Sequence, residues 1–320
     1  MPRKLIIDCD PGVGDAVALA VALCDPSLEV VGITATAGAV SGEMAARNIQ
    51  AIVETLDPRR WPRVGVSTAP AVALPPAESG SSSGTVMKNG PAGLGDLEIQ
   101  VADLHNPRDS VRLMTDLVRE SPNDITLLTL GPLTNVELAC ERMPSFAEQL
   151  LGLVCCCGSV AVGGDVTAAA EFNVWADPEA AAVVLRVPAA RTMIPLDVSL
   201  KPKLTYEAVS QISSAVRGGP LAELLPRLLS WQLRVSHEQL GIEGAHIPEL
   251  AALAFVAECA GSTTTGMSVE VETSGNLTRG ATVFDRRNVA RAQTGIDVVD
   301  ALDPQCIVNY LMRIASLAGS

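Results

Sequence analysis

"KLIIDCD" runs directly into "GDAVALAVALCDP", and "LEVVGITATAG" into "SGEMAARNIQAIVETL". Each pair is a strand-length apolar run followed by a stretch of helical length, and the joins are only a few residues long. That alternation is the strongest constraint in the chain. Strands that return by way of a helix lie parallel, and a parallel sheet needs helices over both faces. Ser41 reads as the N-cap of the second helix, with Glu43 in its first turn. "RVGVSTA" adds a third strand. The pattern resumes with "SVRLMTDLVRES" (helix), "DITLLTL" (strand), "GPLTNVELACERM" (turn and helix), "LLGLVCCCGSV" (strand), "DPEAAAVVLR" (helix) and "ARTMIPLDVSL" (strand). Residues from about 206 to 260 read as mostly helical, "SVEVETSGNLTRGATVFD" as a β-hairpin, and a last helix starts near Gln305. Apolar residues make up 48% of the chain but aromatics only 3%. A core of Val, Ile, Leu and Ala of this kind suits buried parallel strands better than an aromatic-paired sandwich. The expected fold is a Rossmann-like α/β structure: a mostly parallel sheet flanked by helices, with a hairpin near the C-terminus.

No repeat and no linker interrupts the 320 residues, so one domain over 1–320 is the economical expectation. One segment breaks the texture. "LPPAESGSSSGTVMKNGPAGLGD" has neither helical nor strand period, and a loop of that length is either a binding element or an insertion. A formal net charge of −13 argues against nucleic acid, whose phosphates call for a basic face. Eight cysteines lack the spacing of zinc ligands or of a disulfide framework, and they read as reduced core residues. No stretch has the length and apolarity of a membrane span, and Met-Pro-Arg-Lys leads straight into a strand, so a cytoplasmic protein without membrane contact is expected.

Chemistry is expected where the first strand ends. Ligands of an open parallel sheet bind beyond the carboxyl ends of its strands. There "DCDPGVGDAVAL" places Asp8 and Asp10 two apart on one face, with Asp15 in the first turn of the helix. Like charges gathered so closely suggest a cation, although capping and turn chemistry would use the same residues. A hard ion such as Ca²⁺ takes six to eight oxygens, and Asp10, Asp15 and a backbone carbonyl from the Leu130 turn can supply part of that shell. An aspartyl phosphotransferase would want Thr or Val at Gly12. "NGPAGLG" lacks the Lys-Ser/Thr pair of a phosphate loop.

The chain resembles the inosine–uridine preferring nucleoside hydrolase family over nearly its whole length. "IIDCDPGVGDAVAL" is similar to the family's D-x-D-P-G-x-D-D-A signature, "GAVSGEMAARN" to its G-N segment and "GPAGLGD" to its glycine-rich loop. "DITLLTLGPLTNVELA", "AEFNVWADPEAA", "MIPLDVS" and "VEVETSGNLTRGATVFD" follow the family in order. The resemblance implies hydrolysis of the N-glycosidic bond of ribonucleosides, assisted by a bound Ca²⁺. It implies Asp10 as general base and metal ligand, Asp15 and the Leu130 carbonyl as further ligands, and Asp8 behind them. Glu171 and Asn173 would hold the ribose with Phe172 beside them, and His246 would assist the departing base. Read as bare residues, Glu171 and Asn173 could equally start a helix, and His246 could be a satisfied loop histidine. The resemblance also implies a homo-oligomer, dimer or tetramer.

Three positions depart from the family. Its Asp-Asp pair becomes Gly14-Asp15, the Asn of its G-N segment becomes Ala39, and its His-Asp-Pro, whose Asp ligates the metal, becomes His246-Ile247-Pro248. Glu243 or Glu249 lies close enough in sequence to supply a replacement. The alternative function is a catalytically impaired relative that binds a nucleoside-like ligand or a protein partner without turnover. The base-binding region, residues 79–88 and 206–244, gives no purine or pyrimidine preference.

Overall fold

Leu5, Ile6 and Ile7 have only apolar side chains to offer, and strand β1 (Arg3–Cys9) buries all three completely. The computed structural model describes residues 2–70, 72, 88–97, 107–258, 261–287 and 295–318. After β1 come β2 (Leu28–Ala35), β3 (Arg63–Val66), β4 (Arg108–Asp109), β5 (Ile125–Thr129), β6 (Gly152–Cys156), β7 (Arg191–Ile194), β8 (Thr263–Met267), β9 (Val269–Val271), β10 (Thr282–Phe284) and β11 (Ile296–Ala301). Nine of them form one sheet in the order β4-β3-β2-β1-β5-β6-β7-β11-β8. Every pairing in it is parallel except β11 with β8. The chain builds outward from β1 to β4, then returns to the other side of β1 with β5 and continues to β7. The reversal of direction therefore lies between β1 and β5, where Asp8 stands beside Thr129 in the register.

The first helix, Val13–Cys24, is buried from Val13 to Ala22. Its run of small and branched residues lets other helices come close on several sides. Helices Gly219–Leu240 and Pro248–Val256 both pack on it. Helix Gly42–Leu56 begins as expected, with Ser41 Oγ accepting from Met44 N at 3.3 Å. The hairpin is present as β9 paired antiparallel with β10.

Three expectations change. "ARTMIPLDVSL" stops being a strand at Ile194, because Pro195 has no N–H for a ladder, and Leu196–Ser199 turns helical. Strands β8 and β11 did not stand out in the sequence. β8 is a mostly exposed Thr-rich edge, and β11 interrupts its apolar run with Asp297 and Asp300. Cys306 is disulfide-bonded, which corrects the reading of an entirely reduced set, while Cys9, Cys24, Cys140, Cys155, Cys156 and Cys157 are free. Residues 74–87 of the irregular segment lie outside the described residues.

The last helix, Pro304–Ala318, is pinned to the end of the first. Tyr310 Oη donates to Asp25 Oδ2 at 2.8 Å, and Arg313 reaches the same oxygen at 3.2 Å. Asp25 is buried, so its carboxylate depends on these donors. Tyr310→Phe should cost about 1.5–3 kcal/mol, the usual worth of a hydrogen bond to a charged group. Urea denaturation should show a lower midpoint with the same slope. An unchanged midpoint would mean that Arg313 alone satisfies Oδ2 of Asp25, its Oδ1 being held by Ser27.

Candidate functional site

Asp8 is completely buried at the end of β1. Its Oδ1 accepts from Thr34 Oγ1 on β2 at 2.6 Å and from Asn135 Nδ2 at 2.9 Å, and the same Asn135 amide reaches the Ala35 carbonyl. Asp8 thus ties β1, β2 and helix Thr134–Arg142 together. Its Oδ2 has no partner, and burial raises its pKa to about 7 against the two hydrogen bonds.

Asp10 lies just past the strand in a cradle of glycines. A Cβ at Gly38 would come within 2.7 Å of the Asp10 Cγ, and one at Gly131 within 3.2 Å of it. The "TAGA" and "LGPLTN" turns therefore keep glycine so that this carboxylate fits. Ala39 has lost the family's amide side chain, but its backbone N–H still donates to Asp10 Oδ2 at 2.5 Å. Burial raises the Asp10 pKa to about 7, against its backbone hydrogen bonds and helped by the charges of Glu249 and Asp8.

Asp15 belongs to the first helical turn, where its Oδ2 accepts from Gly12 N at 3.0 Å. It is 5% exposed, and its Oδ1 has no hydrogen-bond partner. Burial, then the charges of Asp10 and Glu249, hold its pKa well above the usual carboxylate range. Two residues that the sequence reading passed over fix this turn. Asn89, in the glycine-rich loop, accepts from Val13 N at 3.0 Å and so caps the helix from outside. Buried Asn48 donates to the carbonyls of Pro11 and Ala92, joining the same turn to the same loop. A Lys-Asn-Gly triplet beside a glycine-rich stretch is the only sequence signal for the first. Nothing in the sequence marks Asn48.

Beyond β5 and β6, Glu171 and Asn173 start a helix, as the bare-residue reading expects. Glu171 is the N-cap of helix Phe172–Ala176, accepting from Asn173 N, Val174 N and Gly158 N. It is 6% exposed, and burial followed by the charge of Asp165 raises its pKa to about 8. Asn173 spends both amide hydrogens on backbone, 2.8 Å to the Leu130 carbonyl and 2.9 Å to that of Cys156. Its oxygen is the atom left to meet a ligand. The Leu130 carbonyl already carries one hydrogen bond and keeps its second lone pair. Half-buried Phe172 gives its N–H to Asp165 Oδ1 at 2.9 Å.

His246 stands apart from this group. Its Nδ1 is 3.0 Å from the Pro202 carbonyl, and a carbonyl only accepts, so Nδ1 carries hydrogen and Nε2 is left to act. Among the described residues no hydrogen bond joins it to the carboxylates. Ile247 is 5% exposed and belongs to the hydrophobic core. Glu243 is exposed beside His237, at 3.4 Å, so it does not take the place of the missing Asp. Glu249 does turn inward, with a buried Oε2 that has no partner.

The donor chemistry suits a hard divalent cation. Asp10, Asp15 and Glu249 are all oxygen donors, the charge of Glu249 acts on both aspartates, and two of the buried oxygens lack any partner. Lys88 is the cation whose charge reaches Glu249 and Asp165. Among the described residues, no three His, Cys, Asp or Glu side chains already enclose a common point. The carboxylates are neighbours, not a finished cage.

A family profile described as inosine-uridine preferring nucleoside hydrolase matches residues 5–309. The chain is 31% identical over 313 residues to a pyrimidine-specific ribonucleoside hydrolase of Salmonella gallinarum, covering 97% of each chain. It superposes on the purine-preferring ribonucleoside hydrolase of Gardnerella vaginalis with a TM-score of 0.87 at 27% identity, over 99% of both chains. A plant nucleoside hydrolase gives the same TM-score at 22% identity and 99% coverage of both, a likeness that speaks for the fold.

The raised carboxylates set a direction for stability. Asp8 and Asp10 ordinarily titrate at 3.8 and Glu171 at 4.5, but in the fold they do so at about 7, 7 and 8. Between those values the folded chain holds protons that the unfolded chain has released. Stability of the ion-free protein therefore falls as pH rises from about 4 to about 8. With divalent ions chelated, calorimetry at about pH 5 and about pH 8 should show a larger drop in Tm for the native chain than for Asp10→Asn, which is neutral throughout. Parallel drops would mean that Asp10 is already charged at the lower pH.

Proposed function

The chain belongs to the inosine-uridine preferring nucleoside hydrolase family, and from that membership we propose that it cleaves the N-glycosidic bond of ribonucleosides with water, releasing ribose and a free base. The observation that carries this reading is the burial of Asp10 and Asp15 at the reversal point of the sheet, with no cationic side chain among the described residues hydrogen-bonded to either. Enzymes of the family are metal-dependent. Asp10, Asp15 and the Leu130 carbonyl would hold the ion, and an all-oxygen set favours Ca²⁺. When bound, a divalent cation acidifies water and offsets the repulsion between the carboxylates.

The chain's own groups do the rest. Asp10, fixed by the Ala39 N–H and the two glycines, accepts the proton of the attacking water. The sugar becomes positively charged as the bond to the base breaks, and the surrounding carboxylates stabilise that charge. Glu171 is anchored by three backbone N–H groups and Asn173 by two carbonyls, so both meet the ribose hydroxyls from fixed positions. Phe172 packs beside them. His246, held through Nδ1, would assist the departing base through Nε2.

Two of the three proteins named above are described one as pyrimidine-specific and one as purine-preferring, so both nucleoside classes belong in any substrate panel. Among the described residues no helix is long and apolar enough to cross a membrane. One domain over 1–320, a cytoplasmic location and a dimeric or tetrameric assembly accompany the reading, supported by the family likeness.

The test is release of reducing sugar and free base from a panel of purine and pyrimidine ribonucleosides. Turnover by the native chain is expected, with kcat lowered about 10²- to 10⁴-fold in Asp10→Asn, the range set by losing a general base. Absence of turnover across the panel would overturn the hydrolase reading. The alternative, a relative altered at Gly14, Ala39 and Ile247 that binds without turnover, would then stand.

A further inference from the structure

Gly14 is the second residue of helix Val13–Cys24 and is not among the positions of positive φ, so its backbone makes no demand for glycine. Glycine is a poor helix former, and alanine would serve the helix better. What excludes a side chain is its neighbour. A Cβ at position 14 would lie 2.6 Å from the Glu249 Cδ, 2.7 Å from its Oε1 and closer still to its Oε2. The carboxylate of Glu249 fills the space into which a side chain at 14 would project.

Glu249 arrives there by local geometry. Ile247 is the N-cap residue of helix Pro248–Val256 and points into the core, and Glu249 follows in the first turn. That helix packs directly on the one carrying Gly14 and Asp15. A carboxylate near a helix N-terminus is favourable in itself, but solvent would serve it equally well. Here Oε2 is buried with no partner, beside an Asp15 that is 5% exposed and whose Oδ1 is equally unpartnered. Two orphaned carboxylate oxygens on helices packed against each other call for a positive ligand.

We propose that Glu249 supplies the carboxylate that positions 14 and 247 lack, joining Asp10 and Asp15 as a divalent-cation ligand, and that residue 14 is glycine to admit it. The departures at 14 and 247 are then linked through Glu249: the acid missing from the first helix and from the His-x-Pro segment is supplied two residues further along, in the first turn of helix Pro248–Val256. The inference rests on the metal-assisted reading of the site, and the experiment separates the two.

Metal-stripped protein is titrated with Ca²⁺ by calorimetry, and the rise in Tm on adding Ca²⁺ is followed in parallel. Glu249→Gln keeps shape and removes charge. It should bind Ca²⁺ at least about 10- to 100-fold more weakly, since that is already the cost of losing a group behind the ligands. Its Tm gain should shrink accordingly, while its Tm in chelator is no lower than that of the native chain. The double variant Gly14→Asp with Glu249→Ala should recover most of the affinity that Glu249→Ala alone loses. Gly14→Asp alone should bind worse than the double variant, because two carboxylates then compete for one space. Native affinity in Glu249→Gln would overturn the proposal and leave the metal site intact. A double variant no better than Glu249→Ala would overturn the coupling to Gly14. If the native chain itself binds no Ca²⁺ up to millimolar concentration, the metal-assisted reading fails, and the proposal with it.

Discussion

Like charges are buried together at one end of the sheet, and much of the surrounding structure answers to that. Asp8, Asp10, Asp15 and Glu171 are each at most 6% exposed, and desolvation is the leading cause of the raised pKa of every one. A buried carboxylate must find hydrogen bonds, a counter-charge or a proton. Backbone N–H groups from Gly12, Ala39, Gly158, Asn173 and Val174 supply part of the answer. Thr34 and Asn135 supply it for Oδ1 of Asp8. Asp8 Oδ2, Asp15 Oδ1 and Glu249 Oε2 are left without a partner.

The fold makes such concentration affordable by placing it where no side chain is needed for packing. At the reversal between β1 and β5, strand ends diverge into loops, and the loops can be glycine. Gly38 and Gly131 surrender their side-chain volume to Asp10, and Gly14 surrenders its own to Glu249. Below the site, the first helix is buried over ten successive residues among other helices. The acids therefore stand on an immobile floor. Fixed positions favour catalysis, because a charge already held in place needs no reorganisation during reaction.

Much of this could be read from the chain. Alternation of apolar runs with helical periods predicts the parallel sheet, because period 2 and period 3.6 leave different marks on a sequence. The hairpin between β9 and β10 and the Ser41 cap are local features and appeared where expected. The antiparallel edge strand β8 escaped, since a Thr-rich, mostly exposed run carries no hydrophobic signal. Asn48 and Asn89 escaped for another reason. Their partners, Pro11 and Val13, are respectively 37 and 76 residues away, and nothing local distinguishes a bridging asparagine from a solvated one. The cysteines were misjudged at Cys306 because pairing depends on which chain segments meet.

By itself the sequence determined most of the alternation of strands and helices and the acids at the end of β1, all of which follow from patterns within a few residues. It also showed carboxylates missing at 14 and 247 and left both Glu243 and Glu249 open as replacements. Only the packing of helix Pro248–Val256 on helix Val13–Cys24 chose between them. Glu243 faces solvent beside His237, whereas the carboxylate of Glu249 lies against Gly14. Which carboxylate fills a vacated space depends on the distance between helices more than 200 residues apart in the chain, and no local pattern encodes such a distance.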